Sequence, residues 1–368
     1  MNSIAVAFDI GPLHGPKTGI GFAVEALAGA LAARDDIELR PYVLSFRAEL
    51  TPGTTRLPLP AAVAQRLWAR TGHPRVDRWL GEAQLVHGTN YVVPPTTLPT
   101  VVSVYDCWFL THPDQANPDV RRAGAVLRAA IDRGAVVHTS SSATEDVVRS
   151  LFPGVAAATV HLGPLPLPAP CATAPVPQLD GRPYVLAIGT LERRKNLPTL
   201  VRAFGELADQ HPDLALVLAG GDGDDTADIA AAIDSLGAGF SQRVLRTGRV
   251  DEHARSWLLR HASALAYPSL DEGFGFPLLD AMQAEVPVVA SNAGSIPEVA
   301  GGAALLSDPM DHVALARNLR TLLDDAAERE RRVQLGRDRW PEFHWQRCAE
   351  EMTHLYGRAM RGDTDDLR

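Results

Sequence analysis

Short apolar runs alternate with amphipathic stretches along the whole chain, and no other feature of the sequence constrains the fold as strongly. The runs are apolar on both faces, which is typical of parallel strands covered by helices on both sides of a sheet. The alternation occurs on either side of a proline-rich stretch, so we predict an α/β chain of two doubly wound units. The predicted strands are 4–9, 39–44, 84–87, 101–106, 136–139 and 159–162 in the first unit, and 184–189, 214–219, 244–246, 264–267, 286–290 and 304–306 in the second.

A proline-rich segment separates the two predicted units. Residues 164–177 contain six prolines, which exclude a helix or a central strand and favour a stiff, extended connection. A length of 368 residues suits two domains. The predicted organisation is a domain at 1–163, a linker at 164–179, a domain at 180–342, a C-terminal segment at 343–361 and a polar, disordered tail at 362–368.

The composition disfavours several classes of protein. Lysine and arginine total 35 against 44 acidic residues, a net charge of −9, which argues against a surface built for nucleic acid. Cys107, Cys171 and Cys348 lie far apart and form no CxxC pair, so we expect a reducing compartment and neither a zinc site nor disulfides. The N-terminus does not resemble a signal peptide, and no run of about 18 apolar residues predicts a membrane span.

These observations favour a cytoplasmic protein, and peripheral contact with the inner face of a membrane stays open. The helix predicted from residue 118 is rich in arginine, which suits an anionic membrane or a phosphorylated acceptor. A solvated helix face is the simpler interpretation. The arginines concerned are Arg121, Arg122, Arg128 and Arg133.

A glycine-rich segment follows the fourth predicted strand of the second unit. Gly273 and Gly275 permit positive φ and close approach of a ligand, and Pro277 suits the first turn of a helix. The amides at that helix start can bind an anion. Glu272 in the loop and Asp280 one turn into the helix can then hold ligand hydroxyls on either side of a phosphate. An ordinary capped helix is the alternative interpretation.

Two further turns have the chemistry of anion sites. The segment 189–196, GTLERRKN, follows the first predicted strand of the second unit, and its consecutive cations can neutralise a diphosphate without a metal. Thr190 can cap the helix that follows, although a solvated basic turn is the alternative. The turn at 15–21 is rich in glycine, but it matches neither a Walker A loop nor the GxGxxG fingerprint.

His87, at a strand end, is either an acceptor contact or a buried histidine bonded to the backbone.

Together these motifs resemble the family-4 retaining glycosyltransferases of the GT-B fold, mannosyltransferase-like enzymes of group 1. The resemblance implies two Rossmann-like domains facing a central cleft. The ending Phe343, His344 and Trp345 resembles the closing segment of the family, which implies a C-terminal helix at 343–361 that packs back on the first domain. The resemblance is carried by GTLERRKN, LVLAGG, TGRV, PSLDEGFGFPLLDAM and PVVASNAGSIPEVAGGAALLSDPMD in the second unit, and by TGIG, HGTNYVVP, SVYDCWFLTHP and VHTSSSATEDV in the first.

The resemblance also implies roles for individual residues. Lys195 and Arg194 match the basic pair that stabilises the diphosphate leaving group, and Glu272 matches the carboxylate that touches the donor sugar. Tyr105 and Asp106 stand where the family usually has His-Asp, and Asp280 stands where it normally has the Glu that holds the ribose. The predicted donor-binding residues are Gly19, Gly21, Thr190, Arg249, Val250, Phe274, Gly275, Phe276, Pro277, Leu278, Leu279 and Asp280.

The implied function is a retaining hexosyltransferase that uses a nucleoside-diphosphate sugar and no cofactor. The motif form favours mannose from GDP-mannose, with UDP-sugars open as donors and a sugar, a lipid-linked sugar or a small molecule as acceptor. Asp222 and Asp224 have the DxD spacing of metal-dependent GT-A enzymes, but they follow a Gly pair and predict a solvated turn, so we expect no metal.

Three alternatives share the fold and remain open. A sugar phosphorylase or a sugar-nucleotide epimerase would use the same phosphate chemistry. A non-catalytic sugar-nucleotide binder would explain the departures at Tyr105 and Asp280.

Overall fold

A computed structural model describes residues 3–15, 18–115, 118–169, 173–179 and 181–368. The chain forms two compact units. The first contains residues 1–163 and 343–368, and the second contains residues 164–342. The C-terminal segment therefore folds with the N-terminal part of the chain. The proline-rich residues from 164 onward group with the second unit.

The first unit is built on a sheet of seven parallel strands. Its strands are β1 (Ile4–Asp9), β2 (Ile37–Val43), β3 (Thr55–Arg56), β4 (Leu85–Gly88), β5 (Thr100–Val104), β6 (Val136–Thr139) and β7 (Ala157–Thr159). Their order across the sheet is β3-β2-β1-β4-β5-β6-β7. The order reverses between β1 and β4, as in a doubly wound sheet.

The second unit has six parallel strands in the same arrangement. Its strands are β8 (Tyr184–Ile188), β9 (Ala215–Ala219), β10 (Val244–Gly248), β11 (Ala264–Tyr267), β12 (Val288–Ser291) and β13 (Ala304–Ser307). The order is β10-β9-β8-β11-β12-β13, so the direction reverses between β8 and β11. Ligands of such sheets bind beyond the carboxyl ends of the two strands at this point.

Helices connect the strands of both sheets. In the part of the chain that the structure describes, no helix has both the length and the apolar composition to cross a membrane. The helices are α1 (Gly19–Ala32), α2 (Ala61–Thr71), α3 (Trp108–Thr111), α4 (Pro118–Asp132), α5 (Ser142–Leu151), α6 (Leu197–Ala208), α7 (Thr226–Ser235), α8 (Ala238–Ser241), α9 (Glu252–His261), α10 (Phe276–Gln283), α11 (Ile296–Ala300), α12 (His312–Asp324), α13 (Ala326–Arg339) and α14 (Trp345–Arg361).

The predicted α/β architecture is confirmed, and each predicted strand corresponds to a strand of one sheet. Two details differ. The strand predicted at 159–162 lies at Ala157–Thr159, and β3 was not predicted. β3 consists of one threonine and one arginine that extend the edge of the sheet beside Tyr42 and Val43. A strand of two polar residues has no alternation of apolar and polar side chains, so the hydrophobic pattern cannot predict β3.

Two predictions about segments outside the sheets have different outcomes. The prediction of a disordered tail is wrong, because Asp365–Leu367 forms a 3-10 turn and Leu367 is buried. Arg358 on α14 donates to the Asp366 carboxylate, which fixes the turn. Cys107 and Cys348 are buried free thiols, whereas Cys171 lies outside the described residues.

A chain of buried hydrogen bonds joins α14 to the first sheet. His138 Nε2 donates to Val160 O (3.1 Å), so its Nδ1 accepts from the Ser103 hydroxyl (2.8 Å). Ser103 Oγ then accepts from His87 Nε2 (2.8 Å), and His87 Nδ1 accepts from the Tyr356 hydroxyl (2.7 Å). This arrangement satisfies every polar atom with both imidazoles neutral. Both interpretations of His87 from the sequence are thus replaced, because its partners are two buried side chains rather than an acceptor or the backbone.

Removal of the Tyr356 hydroxyl should destabilise the first unit. In Tyr356→Phe, the buried His87 Nδ1 loses its donor, which costs about 1–3 kcal/mol. Urea unfolding, followed by hydrogen exchange of amides in the first unit, measures the loss. Tyr105→Phe is the matched control, since it removes a buried hydroxyl next to His138 and leaves His87 with both of its partners. Equal losses in the two variants would contradict this assignment.

Acid should weaken the same unit. Burial lowers the pKa of His138 from 6.5 to about 4 and lowers the pKa of His87 well below 6.5. The unfolded chain therefore binds protons that the folded unit rejects. Stability is complete above pH 6.5 and decreases as the pH falls towards about 4. NMR titration of the two imidazoles tests this directly, and a midpoint at or above 6.5 for either ring would contradict it.

Candidate active site

Two loops meet beyond the carboxyl ends of β8 and β11 in the second unit. After β8, Arg193–Lys195 forms a 3-10 turn, and after β11 the loop 268–275 leads into α10. Glu272 joins the two loops. Its Oε2 accepts from Arg194 Nη1 (2.5 Å), and its Oε1 accepts from Lys195 Nζ (2.6 Å). Three residues predicted from separate motifs therefore form one ion-paired cluster.

The Glu272 cluster is withdrawn from water. The side chains of Glu272, Lys195 and Arg194 are 6%, 13% and 16% exposed. Burial by itself raises the pKa of Glu272, but the charges of Arg194 and Lys195 outweigh it and lower this pKa to about 2. Burial lowers the pKa of Lys195, and the Glu272 carboxylate opposes that shift. The buried part of the cluster holds two cations and one anion, which suits an incoming anionic ligand.

Asn196 and Tyr267 complete the cluster, and the sequence analysis missed both. Asn196 is left-handed (φ 53°), and its side-chain amide donates to Pro268 O (3.1 Å) and Pro309 O (2.6 Å). Asparagine tolerates this backbone region better than most residues. Tyr267 accepts from Lys195 Nζ at 3.2 Å, and its ring centre lies 4.9 Å from the same nitrogen. Asn196 is the last residue of the GTLERRKN segment, and Tyr267 directly precedes the PSLDEGFGFPLLDAM segment, so these positions were the available signal.

A glycine allows the Glu272 loop to pack closely. Gly294, after β12, has φ +54°, and a Cβ there would lie 2.4 Å from Asp271 Oδ1 and 2.7 Å from Glu272 O. The next residue, Ser295, donates its backbone N–H to Glu272 O (3.0 Å). A side chain at position 294 would therefore displace the loop that carries Glu272.

The start of α10 offers fewer amides than the sequence analysis expected. Gly275 is left-handed (φ 94°) and caps the helix. Pro277 has no N–H, and the Leu278 N–H already donates to Gly275 O at 3.0 Å. Neither Pro277 nor Leu278 therefore offers a backbone N–H to an anion, although the sequence analysis treated the amides of this helix start as an anion site. The side chains of Leu278 and Leu279 are fully buried and belong to the core, and Phe274 packs edge-on against Phe276.

Asp280 faces α9 and pairs with Arg255. Burial raises the pKa of Asp280 to about 6, although the Arg255 guanidinium opposes the shift. The second oxygen of this carboxylate, Oδ1, has no hydrogen-bond partner within the described ranges. Both carboxylates predicted to hold ligand hydroxyls are therefore ion-paired in the structure.

Other predicted residues of the second unit lie at the margin of this cluster. Thr190 and Arg249 are exposed and Val250 is half-buried. Thr190 does not cap α6, because Asn196 occupies that position. Arg193 lies apart from Arg194 and Lys195, and its guanidinium bonds to Asp228 at 3.3 Å.

The predicted residues of the first unit lie in two places. Gly19 and Gly21 lie in the first turn of α1, and residues 16 and 17 of the glycine-rich segment 15–21 lie outside the described residues. Tyr105 and Asp106 follow β5, and Tyr105 is 7% exposed. The carboxylate of Asp106 accepts from the Trp108 backbone N–H (3.1 Å) and the Tyr91 hydroxyl (3.3 Å).

The acidic turn with DxD spacing is engaged by arginines. Asp222 accepts from Arg246 Nη2 (2.5 Å), and Asp224 accepts from the backbone N–H of Arg193 (2.9 Å). Within the described ranges, no group of three or more His, Cys, Asp or Glu side chains is arranged to hold a metal ion.

Loss of the Glu272 charge should destabilise the second unit. Glu272→Gln leaves Arg194 and Lys195 as buried like charges, and breaking such a pair costs about 3–5 kcal/mol. Glu285→Gln is the control, because its 2.6 Å pair with Arg337 is exposed to solvent, where an ion pair contributes little to stability. Urea unfolding of both variants compares the two losses. A loss in Glu272→Gln no larger than in the control would refute the role of Glu272 as the bridge.

The sequence is similar to one protein family and to a curated relative. The family described as "Glycosyl transferases group 1" matches residues 174–339. O-antigen chain mannosyltransferase B of Escherichia coli is 28% identical over 386 aligned positions, which cover 95% of this chain and 99% of that protein.

Solved structures share the fold. Sucrose-phosphate synthase from Thermosynechococcus elongatus has a TM-score of 0.73 at 21% identity, covering 98% of this chain and 100% of the other. HepE from Anabaena, solved in complex with UDP and glucose, has a TM-score of 0.71 at 16% identity, covering 96% and 99%. Residues 174–339 therefore match the glycosyl transferases group 1 family, and the chain shares the GT-B fold of these solved structures.

Proposed function

We propose that this protein is a metal-independent, retaining hexosyltransferase that transfers mannose from GDP-mannose to an acceptor hydroxyl. The observation that carries the proposal is the buried cluster in which Glu272 holds Arg194 and Lys195 beside the start of α10. A diphosphate is the ligand chemistry that best matches two desolvated cations near a helix N-terminus.

Lys195 is the residue to which we assign the largest catalytic effect. Its ammonium group has three N–H donors. Within the described residues, one of them donates to Glu272 and a second donates to Tyr267. The third is available to an oxygen of the leaving phosphate. The sequence contains only two lysines against 33 arginines, so a lysine at this position stands against a strong compositional preference for arginine. A compact ammonium at this site supports a specific role.

The proposed reaction exchanges one C–O bond for another. The bond from the anomeric carbon to the diphosphate breaks while the acceptor oxygen bonds to the same face of that carbon, and the acceptor proton passes to the departing phosphate. Arg194 and Lys195 stabilise the charge that builds on this phosphate. Glu272 is poorly suited to act as a nucleophile, because both its oxygens are ion-paired and its pKa is about 2. We therefore propose no covalent glycosyl-enzyme intermediate.

The donor and the acceptor are proposed from the relatives. The similarity to an O-antigen chain mannosyltransferase supports mannose as the transferred sugar, and we propose GDP-mannose as its donor. The HepE complex with UDP and glucose makes a UDP-sugar the second candidate. The acceptor is a sugar, a lipid-linked sugar or a small molecule, and we propose a cytoplasmic reaction with peripheral contact at the inner face of a membrane.

Replacement of Lys195 should abolish most of the activity while preserving the fold. Lys195→Ala is expected to lower kcat at least a hundredfold, about the loss found when one preorganised electrostatic group is removed. Arg193→Ala is the matched control, because Arg193 adjoins the cluster in sequence but bonds to Asp228. Turnover of GDP-mannose, with NMR of the product's anomeric configuration and addition of EDTA, measures both effects.

Other outcomes favour the alternative functions. A fall in kcat below tenfold, an inverted product or loss of turnover in EDTA would each overturn part of the proposal. Conversion of donor without acceptor would indicate an epimerase, and transfer to inorganic phosphate would indicate a phosphorylase. Tight nucleotide-sugar binding without turnover would indicate a non-catalytic binder.

A further inference from the structure

We propose that Tyr267 is a positioning residue of the active site, and that its hydroxyl and ring fix the direction of the Lys195 ammonium so that one N–H is left for the leaving phosphate. This inference rests on the proposed function, because it explains how Lys195 is oriented for the reaction that we assign to it. The resemblance assigned Tyr267 no role, since the segment PSLDEGFGFPLLDAM begins one residue after it.

Three contacts constrain the Lys195 ammonium. Its Nζ donates to Glu272 Oε1 at 2.6 Å and to the Tyr267 hydroxyl at 3.2 Å, and it lies 4.9 Å from the centre of the Tyr267 ring. The three N–H bonds of an ammonium group have a fixed tetrahedral arrangement, so two occupied directions determine the third. Glu272 by itself would leave the group free to rotate about the bond from Cε to Nζ. The tyrosine therefore supplies the second fixed direction.

Tyr267 is itself held in the core of the second unit. It is the last residue of β11 and is 3% exposed, whereas the side chain of Lys195 is 13% exposed. A Cβ at Gly275 would lie 3.6 Å from Tyr267 Cε1, and a Cβ at Gly189 would lie 3.2 Å from Lys195 Cε. The backbone at these two glycines leaves little space for either side chain to move. A partly exposed lysine is thus oriented by a buried partner.

The hydroxyl, rather than the bulk of the ring, distinguishes this role from packing. A phenylalanine would fill nearly the same volume and keep the cation–π contact, but it could not accept a hydrogen bond. Burial, together with the charge of Glu272, raises the pKa of Tyr267 well above 10, so the phenol stays neutral. A neutral oxygen accepts from Lys195 without adding a second negative charge that would compete with the phosphate for this cation.

Tyr267→Phe should slow the reaction without weakening donor binding. We expect kcat for turnover of GDP-mannose to fall about tenfold, the loss that corresponds to one hydrogen bond to a charged group. The donor KM should change little, because the charge on the leaving phosphate develops mainly in the transition state.

Tyr184→Phe is the matched control for this variant. Tyr184 is a buried tyrosine at the start of β8, and its hydroxyl donates to Leu258 O at 2.7 Å. The control therefore also loses a buried hydroxyl of the second unit, but no contact of Lys195. Its kcat should equal that of the wild type.

NMR of Lys195 tests the contact independently of turnover. The chain contains two lysines, so protein labelled with ¹³C at lysine Cε gives two signals, and Lys195→Arg identifies the signal of Lys195. The hydrogen bond to Tyr267 favours the charged ammonium, as Glu272 and Glu192 do, whereas burial and Arg194 oppose it. The midpoint of the Lys195 titration should therefore fall by about one pH unit in Tyr267→Phe.

The two measurements together decide the outcome. An unchanged kcat in Tyr267→Phe would overturn the positioning role, and so would a lower kcat with an unchanged Lys195 midpoint, which indicates damage to packing. An equal fall of the midpoint in Tyr184→Phe would overturn it as well. If the wild type turns over neither GDP-mannose nor UDP-glucose, the proposed function is overturned, and the midpoint measurement still supports or overturns the contact between Tyr267 and Lys195.

Discussion

The second unit depends on a carboxylate that is buried between two cations. Glu272 costs free energy to desolvate, and Arg194 and Lys195 would each be costly to bury alone. Together they form a compact cluster with hydrogen bonds of 2.5 and 2.6 Å. Asn196 and the positive-φ Gly294 hold the loops that carry these groups. The cations are therefore preorganised, so little rearrangement is needed when an anionic ligand arrives.

A second ion pair of the same unit, Arg255–Asp280, is arranged differently. Glu272 uses both oxygens, whereas Asp280 uses one for Arg255 and keeps the other unpaired. A saturated carboxylate orients its cations, and an unsaturated one still needs a hydrogen-bond donor. The two carboxylates therefore differ in how completely the protein itself satisfies them.

The buried polar chain of the first unit consists of neutral groups rather than ions. Its buried chain from Tyr356 through His87 and Ser103 to His138 has one donor for each acceptor. Burial keeps both imidazoles uncharged. A helix from the C-terminal part of the sequence thus packs into the core of the N-terminal sheet.

The α/β class, the two units, most strand positions and the residue types of the cation cluster could be predicted from the sequence. Apolar periodicity and turn chemistry are local properties, so they can be read from neighbouring residues. The partners of these residues depend on contacts between distant parts of the chain. Glu272 lies 77 positions from Lys195, and Tyr356 lies 269 positions from His87. Nothing in the local sequence near Asp280 pointed to Arg255 or to the Pro166 carbonyl, because the packing of α9 against α10 brings them together.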